Sequence, residues 1–122
     1  MTWRRFVAYW LPPILYLGLI FGLSSMSAPP VPKGINQDML HYPEYAALGF
    51  LLARALQFGK PGRPSILLLL ATVVLCTAWG ASDELHQAFV PGRVPDVNDW
   101  LHDIIGASAG AAAFGAWKSW RG

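Results

Sequence analysis

The sequence predicts an all-α protein: a bundle of four transmembrane helices, joined by short loops, with both termini in the cytoplasm. Three observations lead to this prediction, namely long uncharged apolar stretches, loops marked by Pro and Gly, and an uneven distribution of positive charge. Hydrophobic residues make up 54% of the chain and charged residues 13%, about half the charged share usual in soluble domains. The 122 residues suffice for one compact domain, which we expect to cover residues 1–122.

The apolar stretches give the helices and the Pro- and Gly-rich segments give the loops. The helices are expected at about residues 6–27, 39–58, 65–86 and 99–118. Residues 6–27 and 65–82 carry no charge, and roughly 20 apolar residues are needed to cross the hydrocarbon of a membrane. The loops contain the prolines of residues 28–34, the Gly-Pro-cation segment 58–64, and a predicted type II turn at 90–93.

Orientation follows from the cations, because Lys and Arg in short loops are retained in the cytoplasm. Seven of the nine cations fall on one side of the predicted membrane, and only Lys33 and Arg93 fall on the other. The acids show the opposite bias. Those on the outward side are Asp38, Glu44, Asp83, Glu84, Asp96, Asp99 and Asp103, together with His41, His86 and His102. We therefore expect a multi-pass protein of the cytoplasmic (inner) membrane with an acidic outward end.

Helical periodicity predicts which side chains turn inward at that end. On the last helix the inward set is Asp99, Asp103, Gly106, Gly110 and Trp117. On the third helix it is Thr72, Cys76, Gly80, Asp83 and Gln87, with Glu84 at its edge. Gly106 and Gly110 form a GxxxG pattern, which allows a second backbone to approach closely in lipid. With His41, Glu44 and Tyr45 of the second helix, these faces predict a polar recess that opens outward between the helices.

Two segments of the chain resemble the VanZ-like membrane protein family. The string Asp-Glu-Leu-His-Gln-Ala-Phe-Val-Pro-Gly-Arg at 83–93 is followed by Asp99 and by the two glycines of the last helix, and His41-Tyr42 begins a second motif. Where many members carry Asn, this chain has Asp103. The resemblance implies a protein of the cell envelope associated with resistance to the glycopeptide teicoplanin, which binds cell-wall precursors.

Two functional hypotheses fit these residues. In the first, the protein is an enzyme that acts on a membrane lipid or a lipid-linked cell-wall precursor, with Glu84 or His41 as general base. The residues predicted to carry the chemistry are Glu84, His41, Gln87, Arg93 and Asp99. A divalent cation, Mg, Ca or Mn, would be held by the carboxylates Asp83, Glu84, Asp99 and Asp103.

In the second hypothesis the same recess binds or shields a glycopeptide or lipid without catalysis, which requires only shape and hydrogen bonds. The sequence contains no His-Glu-x-x-His pair, no Gly-x-Ser-x-Gly elbow and no P-loop, so it does not decide between the two. A transporter is disfavoured, because one four-helix chain without repeats offers little for alternating access. The net charge of +2 and the lack of a basic stripe argue against nucleic acid as a partner.

Overall fold

The computed structural model describes residues 2–26, 33–34, 37–92 and 97–121, without the side chains of residues 37 and 38. This part of the chain is all-α and contains four α-helices, as the sequence predicts. They are α1 (Trp3–Ser24), α2 (His41–Gln57), α3 (Ile66–Gln87) and α4 (Val97–Arg121), and a 3-10 helix over Gln37–Leu40 leads into α2. The predicted loop at 28–34 and the turn at 90–93 lie partly outside the described residues.

Capping residues explain two helix starts and one helix end. The Thr2 side chain accepts a hydrogen bond from the backbone of Arg5, so α1 starts three residues earlier than its apolar stretch. Ser65 caps α3 in the same way by accepting from the backbone N–H of Leu68 at 3.1 Å. α2 ends where Phe58 and Gly59 both adopt positive φ, at 52° and 72°.

The helices alternate in direction, so α1 and α3 end where α2 and α4 begin. We call this end, which carries His41, Asp83, Glu84, Asp99 and Asp103, the acidic end, and the opposite end the basic end. At the acidic end α2 meets α4 through His41 and Asp103, and α1 meets α3 through the rings of Phe21 and His86. The polar side chains of four helix termini are thereby gathered at one level.

At the basic end, arginine side chains join α1 to α2. Arg5 Nη2 donates to the backbone oxygen of Phe58 at 2.9 Å. Arg54 Nη1 donates to the backbone oxygen of Ala8 at 3.0 Å, and its guanidinium lies 4.6 Å from the centre of the Tyr9 ring. Arg54 is thus held by a carbonyl and an aromatic face, two arrangements that suit a guanidinium near the end of an apolar bundle.

The closest packing in the bundle joins α2 to α4. A Cβ added to Gly110 would overlap the backbone oxygen of Ala46, and one added to Gly106 would lie 2.5 Å from the backbone oxygen of Tyr42. Gly49 of α2 makes the reciprocal approach to the backbone of Ala107. Glycines on both helices therefore bring the two backbones into contact, as the GxxxG pattern predicts.

Two helices, α1 and α3, are long and apolar enough to cross a membrane. Only 11% of the apolar stretch of α1 and 22% of that of α3 is buried inside the protein. Large side chains such as Leu15 and Leu67 are exposed on them. Apolar surface left in water forfeits about 25 cal/mol per Å², so these exposed faces are better suited to an apolar environment.

Candidate functional site

The centre of the acidic end is a hydrogen-bonded pair formed by His41 and Asp103. His41 Nδ1 lies 2.6 Å from Asp103 Oδ1, and the two residues are 8% and 1% exposed. A carboxylate only accepts hydrogen bonds, so Nδ1 is the donor and Nε2 remains available for another partner. Gly80 of α3 makes room for the carboxylate, since a Cβ there would lie 2.9 Å from Asp103 Oδ2.

The second ring nitrogen of His41 faces the carboxylate of Asp99, and a carboxylate oxygen of Glu84 lies close to both residues. His41 Nε2 lies 3.9 Å from Asp99 Oδ2. One nitrogen or oxygen atom each from His41, Glu84 and Asp99 lies within 4.8 Å of the other two, a spacing compatible with a shared metal ion. Asp99 is one turn before Asp103 on α4, so the two carboxylates reach the imidazole from the same helix face.

Beside this group, α3 contributes a carboxylate and an amide. Gln87 Nε2 donates to Asp83 Oδ2 at 3.3 Å, and both residues are buried. They complete the inward stripe predicted for this helix, because the buried residues of α3 are those of the expected set. These residues are Thr72, Cys76, Gly80, Asp83 and Gln87.

Side chains that the sequence analysis did not assign to the recess surround the site. His102 stacks on Tyr42 with 4.6 Å between ring centres, and its Nδ1 lies 3.9 Å from Asp99 Oδ1. Trp100 Nε1 donates to the backbone oxygen of Thr77 at 3.0 Å, which links α4 to α3. In the sequence, His102 and Trp100 each lie one or three residues from an acid of α4. This spacing indicates that they are near the site, but it does not identify the residues that they contact.

The C-terminal end of α1 contributes one further contact. Ser25 Oγ donates to the backbone oxygen of Phe21 at 2.8 Å and lies 2.9 Å from His86 Nε2. Since its proton is used within α1, the serine oxygen accepts from the histidine ring. This geometry ties α1 to α3, and it does not activate the serine as a nucleophile, for which the histidine would have to accept.

The predicted site residues therefore fall into three groups. The structure brings His41, Glu84 and Asp99 together as possible ligands of one ion. Asp103 and Gln87 lie beside that group, bonded to His41 and to Asp83 respectively. Arg93 lies outside the described residues, so its predicted role is unchanged. The four-carboxylate metal site likewise stays a prediction, and Trp117, expected inward, is 38% exposed.

The arrangement limits the chemistry available at the acidic end. Carboxylates and a neutral imidazole nitrogen accept hydrogen bonds, bind cations and take up protons. They repel a bare phosphate unless a cation or an arginine intervenes. The site is therefore suited to hydroxyl, amine or amide groups of a ligand, or to a metal ion that in turn binds an anionic oxygen.

Comparison with known proteins gives one family. A family model described as VanZ/LLP1 matches residues 37–118, which contain α2, α3 and nearly all of α4. The match includes His41, Glu84, Asp99 and Asp103 and leaves out α1. No curated protein and no solved structure matches the chain.

Proposed function

Since the chain belongs to the VanZ/LLP1 family, we propose that it is a membrane protein of the cell envelope that handles a lipid or a lipid-linked envelope molecule at its acidic end. The family and the two apolar helices α1 and α3 indicate a membrane protein. The observation that supports a site is the meeting of His41, Glu84 and Asp99, which come from three different helices. Ionisable side chains in a membrane bundle are costly and usually functional.

In this proposal all four helices span the cytoplasmic membrane, and the acidic end faces outward. The cations Arg5 and Arg54 at the basic end support this orientation, since positively charged loops stay in the cytoplasm. α2 is the shortest of the four α-helices, and its 17 residues reach only about 25 Å, so it would cross the membrane inside the bundle rather than as an independent span.

Thiol labelling of intact cells tests this topology. Cys76 is buried and is the only cysteine, so a Cys76→Ala background allows single cysteines to be placed at the ends of the bundle. A membrane-impermeant maleimide should label Met26→Cys without cell lysis and Lys60→Cys only after lysis. Labelling of Lys60→Cys in intact cells would reverse the orientation, and labelling of both would contradict the alternating helices.

The chemistry of the acidic end favours ligand groups that donate hydrogen bonds. A lipid headgroup with an amine, or a sugar of a lipid-linked cell-wall precursor, offers N–H and O–H groups to Glu84 and Asp99. A phosphate would need a neighbouring cation, which Arg93 or a bound metal ion would supply. In the catalytic version of the proposal, Glu84 or His41 takes up a proton from the bound molecule.

Lipid capture by purified protein tests the site. Native mass spectrometry of the full chain, incubated with a lipid extract of bacterial envelopes, should show a bound lipid with the wild type and roughly tenfold less with Glu84→Gln or Asp99→Asn, the loss expected for one hydrogen bond to a charged group. Glu44→Gln is the matched control, because it also removes a carboxylate from this end but lies outside the group of three. Equal capture by all four proteins would refute the site.

A non-catalytic binding or shielding role for the same site is the second candidate. Polar side chains of the site already hydrogen-bond to one another, His41 to Asp103 and Gln87 to Asp83. These bonds hold the remaining hydrogen-bond acceptors in a fixed arrangement, which favours binding without catalysis. Its ligand would be a lipid or a glycopeptide such as teicoplanin. Mass spectrometry of the lipids before and after incubation separates the two candidates, because only an enzyme releases a changed molecule. A teicoplanin-susceptibility assay with wild type and Glu84→Gln then tests the resistance role.

A further inference from the structure

We propose that the acidic end is a binding site for a first-row transition-metal ion, held by His41 Nε2, Glu84 and Asp99 and oriented by Asp103. The inference rests on the same cluster as the proposed function and adds the cofactor that this cluster would use. It replaces a site of four carboxylates with one imidazole and two carboxylates. The two ligand sets predict different selectivity between Zn²⁺ and Mg²⁺ and different effects of substitution.

The spacing of the three donor atoms fits one ion. Nitrogen and oxygen ligands lie about 2.0–2.2 Å from a metal such as zinc, so two ligands of one ion are at most about 4.4 Å apart. In the structure the three donor atoms lie within 4.8 Å of one another, and His41 Nε2 is 3.9 Å from Asp99 Oδ2. Small side-chain movements would therefore bring all three into contact with a shared ion.

The imidazole is already held as metal-binding histidines usually are. Such histidines donate their second ring nitrogen to a carboxylate or a backbone oxygen, which fixes the ring and strengthens the ligand. Asp103 provides this interaction through the 2.6 Å bond to His41 Nδ1. Asp103 is accordingly a positioning residue, and it does not need to touch the ion.

The buried charge of Asp103 also favours a nearby cation. Asp103 is 1% exposed, and its Oδ2 atom has no hydrogen-bond partner among the described residues. A buried carboxylate oxygen without a partner is costly in an apolar bundle. A divalent cation at His41 Nε2 would offset the charge of Asp103 through the imidazole, as in carboxylate–histidine–metal arrangements, while Oδ2 itself lies against Gly80.

The ligand types select the class of metal. Mg²⁺ and Ca²⁺ prefer oxygen ligands alone, whereas one imidazole with two carboxylates suits Zn²⁺, Mn²⁺ or Fe²⁺. Three protein ligands leave at least one coordination position open, which is the pattern of catalytic rather than structural zinc sites. An open position at this level would accept a water molecule or an anionic oxygen of a lipid headgroup.

Metal titration of the purified full chain tests the inference. Protein in nanodiscs is stripped with a chelator and titrated with Zn²⁺, Mn²⁺ and Mg²⁺ in a calorimeter. We expect Zn²⁺ and Mn²⁺ to bind and Mg²⁺ to bind at least ~100-fold more weakly, as the preference of an imidazole-containing site requires. Absence of Zn²⁺ and Mn²⁺ binding to the wild type, or equal binding of Mg²⁺, would overturn the proposal.

Substitutions separate the two ligand sets. His41→Ala and Asp99→Asn should each weaken Zn²⁺ binding by at least ~100-fold, and Asp103→Asn by roughly 10- to 100-fold through loss of the orienting contact. The Zn²⁺ affinity of Asp83→Asn and of the control Glu44→Gln should stay within about threefold of the wild-type value, since neither substitution removes a ligand. A four-carboxylate site, in contrast, would lose a ligand in Asp83→Asn. If Asp83→Asn abolishes binding while His41→Ala does not, the three-ligand site is wrong.

Spectroscopy of the wild type tests whether His41 binds the metal ion without relying on substitutions that could unfold the protein. Electron spin-echo measurements on Mn²⁺-loaded protein with ¹⁵N-labelled histidine should show one coordinated imidazole nitrogen. The signal should persist in His86→Gln and His102→Gln, and its absence from the wild type would exclude His41 as a ligand.

Lipid capture in the presence of chelator distinguishes the proposals: capture without metal binding refutes only the metal site, and metal binding without capture refutes only the lipid-handling function.

Discussion

α1 and the unit formed by α2, α3 and α4 are built in different ways. α2 and α4 pack backbone against backbone through Gly49, Gly106 and Gly110, and α3 closes on them with a stripe of small and polar residues. α1 is largely exposed along its length, and one of its faces forms a groove of about 460 Å³. The family match covers the three-helix unit and leaves α1 out. The polar side chains of the candidate site are therefore positioned by the three-helix unit, in which the backbones of α2 and α4 are in contact.

This difference explains why the candidate site lies where it does. A hydrogen bond such as that between His41 and Asp103 requires two helices to hold a fixed distance and register, and glycine contacts one and two turns away provide both. At the same level α1 contacts the outer edge of the site through Phe21, which stacks on His86, and through the C-cap Ser25, which lies 2.9 Å from His86 Nε2. Changes between α2 and α4 should therefore be severe, and changes on α1 should be mild.

The largest effect is expected from Gly110→Ala. The new Cβ would overlap the backbone oxygen of Ala46, and a backbone cannot move aside as a flexible side chain can, so α2 and α4 must separate. We expect the free energy of unfolding in mixed micelles to fall by about 3 kcal/mol or more, at the upper end of the range for overpacked sites. The distance between spin labels on α2 and α4 should increase at the same time.

The matched control for Gly110→Ala is Gly22→Ala on α1. No atom lies within 4 Å of a Cβ built at Gly22, so the substitution meets open space. Alanine is favoured over glycine in helices by about 1 kcal/mol, and the free energy of unfolding should therefore be unchanged or slightly higher. A large loss at Gly22, or none at Gly110, would remove the contrast between α1 and the three-helix unit.

The difference between α1 and the three-helix unit also explains how well the sequence predicts each of them. The inward stripe of α3, from Thr72 to Gln87, was predictable because small and polar residues recur at helical spacing among leucines and valines. The GxxxG pattern of α4 was predictable for the same reason. α1 is apolar on all sides, so periodicity cannot identify the face that turns inward, and its contacts through Ser25 and Ala8 were missed.

Contacts between side chains of different helices could not be predicted from the sequence either. His41 and Asp103 are 62 residues apart, and their hydrogen bond depends on the rotation and register of α2 against α4, which no local pattern specifies. Trp117 shows the limit of periodicity on a predicted helix. It follows Gly110 by seven residues and contacts the rings of Phe50 and Phe114, but it lies near the end of α4 and keeps 38% of its surface exposed.

An intermediate effect is expected from Arg54→Gln, which tests how α1 is held at the basic end. The substitution removes the bond to the backbone oxygen of Ala8 and the contact with the Tyr9 ring. Together these should be worth about 1–2 kcal/mol in the free energy of unfolding. Arg63→Gln removes the same charge from an exposed loop position and should change the free energy by less than about 0.5 kcal/mol.

If Arg54→Gln instead destabilises the protein as much as Gly110→Ala, α1 is an integral part of the packed core. Zn²⁺ titration and lipid capture by the same variant show whether the change spreads to the acidic end. We expect neither measurement to change, because Arg54 and the candidate site lie at opposite ends of α2 and additivity holds for distant positions.

The smallest effect is expected from Ser25→Ala at the acidic end. The substitution removes the acceptor of His86 Nε2, while the stacking of His86 on Phe21, with ring centres 4.5 Å apart, remains. One neutral hydrogen bond at an exposed position should contribute about 0.5 kcal/mol to the free energy of unfolding. Ser108→Ala is the control, since Ser108 donates only within its own helix, to the backbone oxygen of Ile104. If Ser25→Ala reduces lipid capture as strongly as Glu84→Gln, α1 belongs to the functional site, and the division between α1 and the three-helix unit describes the packing alone.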